Sequence, residues 1–238
     1  MKDSGDRNGA GAQQPSQYRW KGARSIGLAQ QLNQEFIELC CELSVGPEPE
    51  KPFPLVASHR DLWSRLDPKS RKRLALFPFV MVDLRFGDVA CWCSAAGNGA
   101  HMRGNSDGTA PAARWEWLAL ETLMFGWQVA REDRGVASML FAMPPPVADC
   151  IAALTMQQVR TLALKSTACL RLRWDNKPRL WRELLIAARE ADEPALEALR
   201  REAKLHFCGE LIHAQASGDA HTPLTGKTWM DMAHGHQQ

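Results

Sequence analysis

Cys91, Cys93 and His101 are the side chains whose types and spacing come closest to a metal-binding pattern. Structural zinc sites use four thiolate or imidazole ligands, and their paired cysteines are usually separated by two to four residues. The Cys-x-Cys pair is tighter than this, and no fourth ligand is obvious. A second, scattered group near the C-terminus comprises His206, Cys208 and Glu210. The sequence therefore predicts no metal site.

Ser58, His59 and Asp61 supply the residue types of a nucleophile, a base and an orienting acid. A catalytic triad is defined by its geometry in space, and no nucleophile-elbow pattern surrounds Ser58. The glycine-rich segment 97–108 lacks the lysine and the strand–turn–helix context of a phosphate-binding loop. These features predict that the chain is not an enzyme and holds no cofactor.

The segment from Arg160 to Arg182 concentrates positive charge, although the formal net charge of the whole chain is only +2. Asp175 is its single acidic residue. Planar guanidinium groups match phosphate oxygens, so the segment is suited to contact with DNA. Trp174 and Trp181 could stack on bases or pack in the core. A solvated basic helix face is the alternative interpretation of the segment.

The composition is that of a globular protein, with 45% hydrophobic and 24% charged residues. No run approaches the roughly 18 apolar residues of a membrane span, and the polar N-terminus lacks the apolar centre of a signal peptide. Seven cysteines without a framework spacing are typical of reduced thiols. We therefore expect a cytoplasmic protein that does not engage a membrane.

Composition divides the chain into four parts. Residues 1–19 are rich in Gly, Ser, Gln and Asn and are predicted to be a disordered tail. Residues 20–113 are predicted to be an N-terminal helical region of unknown role that ends in an exposed loop at 94–113. Residues 114–214 are predicted to be a second helical domain, and residues 215–238 a flexible polar tail.

Apolar residues recur at helical spacing along most of the chain. The stripes are Ala29, Leu32, Phe36, Leu39 and Leu43; Trp117, Leu120, Met124 and Trp127; Leu180, Leu184 and Ala187; and Leu196, Leu199, Ala203 and Phe207. Asp67 and Asp192 are predicted to cap helices, and Thr155 with Gln158 is predicted to form a capping box.

Residues 79–86 alternate in a way that favours a strand. Gly87 and Asp88 would then turn the chain into a second strand that ends at Cys93, whereas one buried helix is the alternative. The predicted fold class is mainly α: a helical bundle, with a short β-hairpin near residues 79–93 as one option.

Short motifs between Leu118 and Asp175 follow a recognisable order. They are Arg131-Glu132-Asp133-Arg134, Ala148-Asp149, Ala152-Ala153-Leu154-Thr155 and Arg173-Trp174-Asp175. In this order and spacing, the segment resembles the FlhD flagellar transcriptional regulators. The resemblance makes residues 114–214 an FlhD-like helical domain.

The resemblance implies an all-helical homodimer that assembles with a second regulator, FlhC, and activates flagellar promoters. In that family the partner makes most of the DNA contacts and also holds the zinc. The triple proline at 144–146 departs from the family's pattern. Cys169 is offset by one residue from a cysteine found in the family's best-known members, so the resemblance implies no intersubunit disulfide here.

Six residues are the predicted contacts with a partner or with DNA: Arg131, Asp133, Arg171, Arg173, Trp174 and Arg179. The first two belong to a charged run that is either an interface or a solvated helix end. The predicted function is transcriptional regulation through dimerisation and partner binding, in flagellar gene activation. The alternative is an adaptor or a secretion-system accessory protein that does not bind DNA.

Overall fold

The computed structural model describes residues 22–46, 53–98 and 110–219. These residues form a helical bundle, which confirms the mainly α prediction. The first part contains α1 (Gly22–Val45), α2 (Pro54–Ser58), α3 (Arg60–Trp63), α4 (Pro68–Leu74) and α5 (Val89–Asn98). The second part contains α6 (Ala110–Glu132), α7 (Arg134–Phe141), α8 (Pro145–Ala152), α9 (Met156–Ser166), α10 (Pro178–Glu190) and α11 (Glu193–Asp219). A two-stranded ribbon joins β1 (Val82–Asp83) to β2 (Arg171–Leu172).

The predicted tails and the central loop only partly overlap the described residues. The tail at 1–19 lies outside them, as do residues 99–109 of the loop. The remaining loop residues belong to α5 and α6, and α11 continues to Asp219. The chain is thus helical at 215–219, where we predicted the flexible tail to begin, and the rest of that tail lies outside the described residues.

The two parts of the chain share one hydrophobic core. Helix α1 packs against α6, and α4 packs against α10. Trp63 of α3 and Trp181 of α10 are both fully buried, with ring centroids 5.6 Å apart. Residue 113 was predicted as a domain boundary, but the residues before and after it bury each other's apolar side chains.

The strand β1 pairs with a distant partner. It runs antiparallel to β2, with Val82 opposite Leu172. The predicted hairpin is therefore wrong, and so is the single buried helix, because residues 89–98 form α5. The carboxylate of Asp88 accepts a hydrogen bond from the backbone N–H of Cys91 at 2.9 Å and starts that helix. Trp92 is then buried in the core.

The predicted helix caps are confirmed. The Asp67 side chain accepts a hydrogen bond from the backbone N–H of Ser70 at 2.6 Å. Thr155 and Gln158 form the predicted capping box at the start of α9. Asp192 accepts a bond of 3.0 Å from a backbone N–H in the first turn of α11. Each cap satisfies a donor that the helix itself leaves free.

Three of the four predicted apolar stripes face the core. The α1 stripe is buried apart from Leu43, and the α10 stripe is buried throughout. The α11 stripe is buried apart from Leu199, which is partly covered. The α6 stripe is different and is described below.

Asn33 of α1 fixes the buried approach to β1. Its side-chain amide donates to the carbonyl of Phe79 at 2.9 Å, and its carbonyl accepts from the backbone N–H of Met81 at 2.7 Å. The intervening N–H of Val80 donates to the carbonyl of Leu140 at the end of α7. An extended, fully buried segment needs such partners because its backbone has no helix to satisfy it.

Among the described helices, none is long and apolar enough to cross a membrane by itself. Helices α7 and α8 meet the criteria of length and composition only as a pair, and the pair is bent by 114°.

Candidate interaction surfaces

Arg173, a predicted interface residue, lies inside the protein with an exposed fraction of 3%. Its guanidinium donates to the carbonyls of Val80 at 3.0 Å and Phe141 at 3.1 Å. It also pairs with the Glu210 carboxylate at 2.6 Å and lies over the ring of Phe207. These contacts tie β2 to the segment before β1, to α7 and to α11. Arg173 therefore stabilises the fold and does not face a partner.

Trp174 is also buried. Its ring packs edge-on against Phe79, with centroids 5.7 Å apart, and against Phe77. Its backbone φ is 60°, in the left-handed region that residues other than glycine rarely adopt. The indole is packed in the core, where its Nε1–H finds no hydrogen-bond partner among the described residues. The ring is not available to stack on a base.

Arg171 binds Asp83 across the two-stranded ribbon. Its Nε and Nη2 atoms donate to one carboxylate oxygen at 2.9 and 2.7 Å. Burial by itself would lower the pKa of Arg171, but the charge and hydrogen bonds of Asp83 outweigh it and raise the pKa. The Arg171 side chain remains 42% exposed. Part of the Arg171 side chain therefore stays accessible to a partner while its guanidinium remains bound to Asp83.

Arg131, Asp133 and Arg179 lie at the surface. The guanidinium of Arg131 lies 4.9 Å from the ring centroid of Trp127, a cation–π contact. Asp133 caps α7 by accepting from the N–H of Val136 at 3.1 Å. Arg179 is the most accessible of the three, with its side chain 90% exposed and paired with a glutamate one turn along α10. The structure does not bring the six predicted residues together on one face.

The residue types considered for catalysis do not converge. Ser58 donates to the carbonyl of Leu55, and His59 donates to the carbonyl of Pro178. Among the described residues, neither side chain forms a hydrogen bond with Asp61. Within the described ranges, no group of three or more His, Cys, Asp or Glu side chains could hold a metal ion, and His101 lies outside those ranges.

An open apolar groove of about 560 Å³ runs between α1, α6 and the start of α9. We call it the α6 groove. It is lined by Leu28, Gln31, Leu32, Glu35, Leu120, Glu121, Met124, Phe125, Trp127, Gln128, Met156 and Arg160. Within the described residues it combines a broad apolar floor with charges of both signs.

Three residues of the predicted α6 stripe, Leu120, Met124 and Trp127, line this groove while also packing against the edge of the core. Trp117 is 44% exposed, and Leu120, Met124 and Trp127 are only partly buried. The core is filled by a neighbouring face of α6 that includes Leu123. Helix α6 therefore has two apolar faces, and the described residues fully cover only one of them. The sequence pattern could not distinguish them because both have helical spacing.

Glu35 and Glu121 form the acidic part of the groove. Partial burial raises the pKa of Glu35, and the nearby charges of Glu121 and Glu38 raise it further. Arg160 lines the same groove from α9. The wall thus carries carboxylates on α1 and α6 and a guanidinium on α9.

A second surface forms where residues 59–73 run alongside α10 in the same direction. His59 contacts Pro178 at the start of α10, with the imidazole Nε2 and the carbonyl oxygen 3.0 Å apart. Arg73 donates to the carbonyl of Ala188 near the end of α10, at 2.7 Å. The two segments that carry these cations therefore run side by side.

We call this surface the basic ridge; it comprises Arg65, Lys69, Lys72, Lys177, Arg179 and Arg182. All are exposed except Lys177, which is half-buried. The acidic side chains on the same segments are Asp61, Asp67, Asp175, Glu183 and Glu190. Three of these acids are already engaged, Asp67 as a helix cap, Glu183 with Arg179 and Glu190 with Arg189. The ridge therefore presents a surplus of positive charge.

Sequence reasoning located the α10 half of the ridge and missed the other half. The signal was present as the run Lys69-Ser70-Arg71-Lys72-Arg73. This run becomes part of a larger basic surface only because α4 packs against α10, and no local sequence pattern predicts that packing. The α6 groove was missed because both apolar faces of α6 have helical spacing.

Comparisons with protein-family models, curated proteins and solved structures found no match to this chain.

Proposed function

We propose that this chain is a non-enzymatic regulatory protein that functions as a homodimer, with the α6 grooves of two copies packed against each other. The incompletely buried stripe on α6, in which Trp117 is 44% exposed and the other residues are partly buried, is the observation that carries the proposal. Trp117, Leu120, Met124 and Trp127 are separated by three, four and three residues, the spacing of a helix–helix seam. Covering that stripe removes apolar surface from water and favours association.

The charges of the α6 groove suit a second copy of the same chain. A twofold interface brings one patch against itself, so each charge must find its opposite within that patch. Glu35 and Glu121 supply the negative charge and Arg160 the positive charge. In a twofold pair, the carboxylates of one copy can face the guanidinium of the other.

The FlhD-like motifs of residues 118–175 support the regulatory part of the proposal. The family that they resemble consists of helical homodimers that join FlhC at flagellar promoters. Most of α6 lies in that segment, so the same helix carries the resemblance and the uncovered apolar face. We therefore extend the proposal to flagellar gene activation with an FlhC-like partner.

The oligomeric state tests this proposal. Leu120→Lys with Met124→Lys places two charges in the seam, and we expect dimerisation to weaken about 100-fold or more. Met139→Lys with Leu205→Lys is the matched control, because these residues are 51% and 74% exposed and lie outside the α6 groove. Sedimentation velocity over a concentration series measures both. A monomeric wild type, or a dimer broken equally by the control, would exclude the groove as the interface.

The basic ridge favours a second function, direct contact with DNA. Its cations lie on two adjacent segments, as expected for a surface that follows a phosphate backbone. We infer that the dimer binds duplex DNA with little sequence preference through this ridge, while the partner adds specificity. Because phosphate contacts release counterions, affinity falls steeply with salt.

A titration with fluorescent duplex DNA tests the ridge. Lys69→Glu with Arg182→Glu should weaken binding at least tenfold and flatten its salt dependence. Arg24→Glu with Lys204→Glu makes the same change in net charge on exposed residues outside the ridge and should retain more of the affinity. If wild type shows no salt-dependent binding with or without a co-expressed partner, the adaptor alternative is favoured.

A further inference from the structure

Cys93 of α5 and Cys150 of α8 bring their sulfur atoms within 2.7 Å of each other. A disulfide bond has a sulfur–sulfur distance of about 2.05 Å, so the two atoms need to approach by less than ~1 Å to bond. The residues are 57 positions apart in the chain. Packing of α5 against α8 brings them together.

Both thiols are partly exposed, so a small oxidant can reach them. The other cysteines differ from this pair. Cys40 and Cys41 are buried, and Cys208 is exposed on α11. Cys91 and Cys169 are close enough for the charge of one to influence the other. Among the described cysteines, only Cys93 and Cys150 have their sulfur atoms in contact.

We propose that Cys93 and Cys150 form a reversible intrachain disulfide, with a low-molecular-weight disulfide such as glutathione disulfide as the oxidant. One cysteine thiolate attacks the oxidant, forms a mixed disulfide and releases the first glutathione thiol. The second thiolate attacks the protein sulfur of that mixed disulfide and releases the second glutathione. Two S–H bonds and one S–S bond are lost, two S–H bonds and one S–S bond form, and the protein loses two electrons to the oxidant.

Local structure sets the rate of this exchange. Burial and the neighbouring Cys150 thiol raise the pKa of Cys93 to about 12. Cys93 also donates to the carbonyl of Pro146 at 3.7 Å, a contact that holds the thiol in its protonated form. Because the thiolate is the nucleophile, closure is slow near neutral pH and accelerates as the pH rises.

The bond would connect α5 to α8, that is, a helix before the FlhD-like residues 118–175 to a helix within them. Cys93 lies before the FlhD-like segment, and Cys150 lies within it, next to the Ala148-Asp149 motif. Asp149 pairs with Arg134 at the start of α7. A disulfide would therefore fix α5 to the helices of that segment and restrict the unfolded chain by closing a long loop.

The full-length protein, purified under reducing conditions, is incubated with glutathione disulfide at pH 8.5 and alkylated without reduction. We expect a loss of two free thiols and a peptide cross-link between Cys93 and Cys150 by mass spectrometry. Closure should also raise the melting temperature by about 5–15 °C.

Single-cysteine variants assign the bond. Cys93→Ser and Cys150→Ser should each abolish the cross-link and the rise in melting temperature, while Cys91→Ser should retain both. The wild-type reaction does not depend on whether a variant folds. A full complement of free thiols after oxidation, or a cross-link that maps to Cys91 or Cys169, would overturn the proposal.

Discussion

The surroundings of Arg173 and the α6 groove differ in how they treat a side chain's polarity. At Arg173, a charged side chain is buried because four groups receive it: two carbonyls, a carboxylate and an aromatic ring. At the α6 groove, apolar side chains such as Leu120 and Met124 stay only partly buried, because none of the described elements covers them fully. The comparison shows that residue type alone does not determine burial; the number of partners within reach does.

The largest effect should come from removing the buried charge. Arg173→Met leaves the carbonyls of Val80 and Phe141 without their donor and Glu210 without its cation. We expect a loss of about 3–5 kcal/mol in unfolding free energy, because breaking a buried pair strands its partners. Urea denaturation measures it. Arg179→Met, on an exposed arginine, is the control and should cause no comparable loss.

If Arg173→Met lowered the unfolding free energy no more than the control does, the buried contacts of Arg173 would not be important for stability. A reduced interaction with DNA or with a partner, in a variant of unchanged stability, would instead return Arg173 to its predicted role as an interface residue.

An intermediate effect should separate the two apolar faces of α6. Leu123 is fully buried, so Leu123→Ala should cost about 2–5 kcal/mol. Leu120 is only partly covered, and Leu120→Ala should cost about 1 kcal/mol. Both are measured by urea unfolding with Met124→Lys present, so that dimer dissociation does not contribute. In the otherwise wild-type chain, only Leu120→Ala should weaken dimerisation; the reverse order would exchange the two faces.

The smallest effect concerns the carboxylate in the groove. The folded chain raises the pKa of Glu35 above its ordinary value of 4.5, so the folded state binds that proton more tightly than the unfolded state. Ionisation of Glu35 therefore lowers stability as the pH rises through this range. Glu35→Gln should be slightly more stable than wild type at pH 7, and the difference should disappear near pH 4.

Thermal unfolding at the two pH values, at a protein concentration low enough to keep the chain monomeric, tests the sign of this effect. Glu132→Gln, at the exposed end of α6, is the control. An advantage of Glu35→Gln that grows as the pH falls would contradict the repulsive environment assigned to the groove.

Local features of the fold were predictable because their causes lie within a few residues. Asp67, Thr155 and Asp192 cap helices through bonds to backbone groups three positions away. The stripe of α10 indicates its buried face because one side of that helix is apolar and the other charged. Such elements are specified by sequence spacing alone.

Long-range features could not be predicted in the same way. The alternation around residue 82 indicated a strand, but the partner strand is distant in sequence. Asp83 lies opposite Arg171, 88 residues further along the chain. The burial of Arg173 depends on acceptors from three other segments. A basic residue in a basic run looks like a surface cation until those acceptors are assembled around it.

The pairing of β1 with β2 has a consequence for synthesis on the ribosome. The buried segment before β1 receives two of its backbone partners, the N–H and the guanidinium of Arg173, from a part of the chain made much later. Until then Val80 and Met81 cannot complete their hydrogen bonds, and the apolar residues around them lack their final cover. The N-terminal helices therefore cannot reach their final structure as an early, separate unit: they are completed only when β2 and Arg173 have been made.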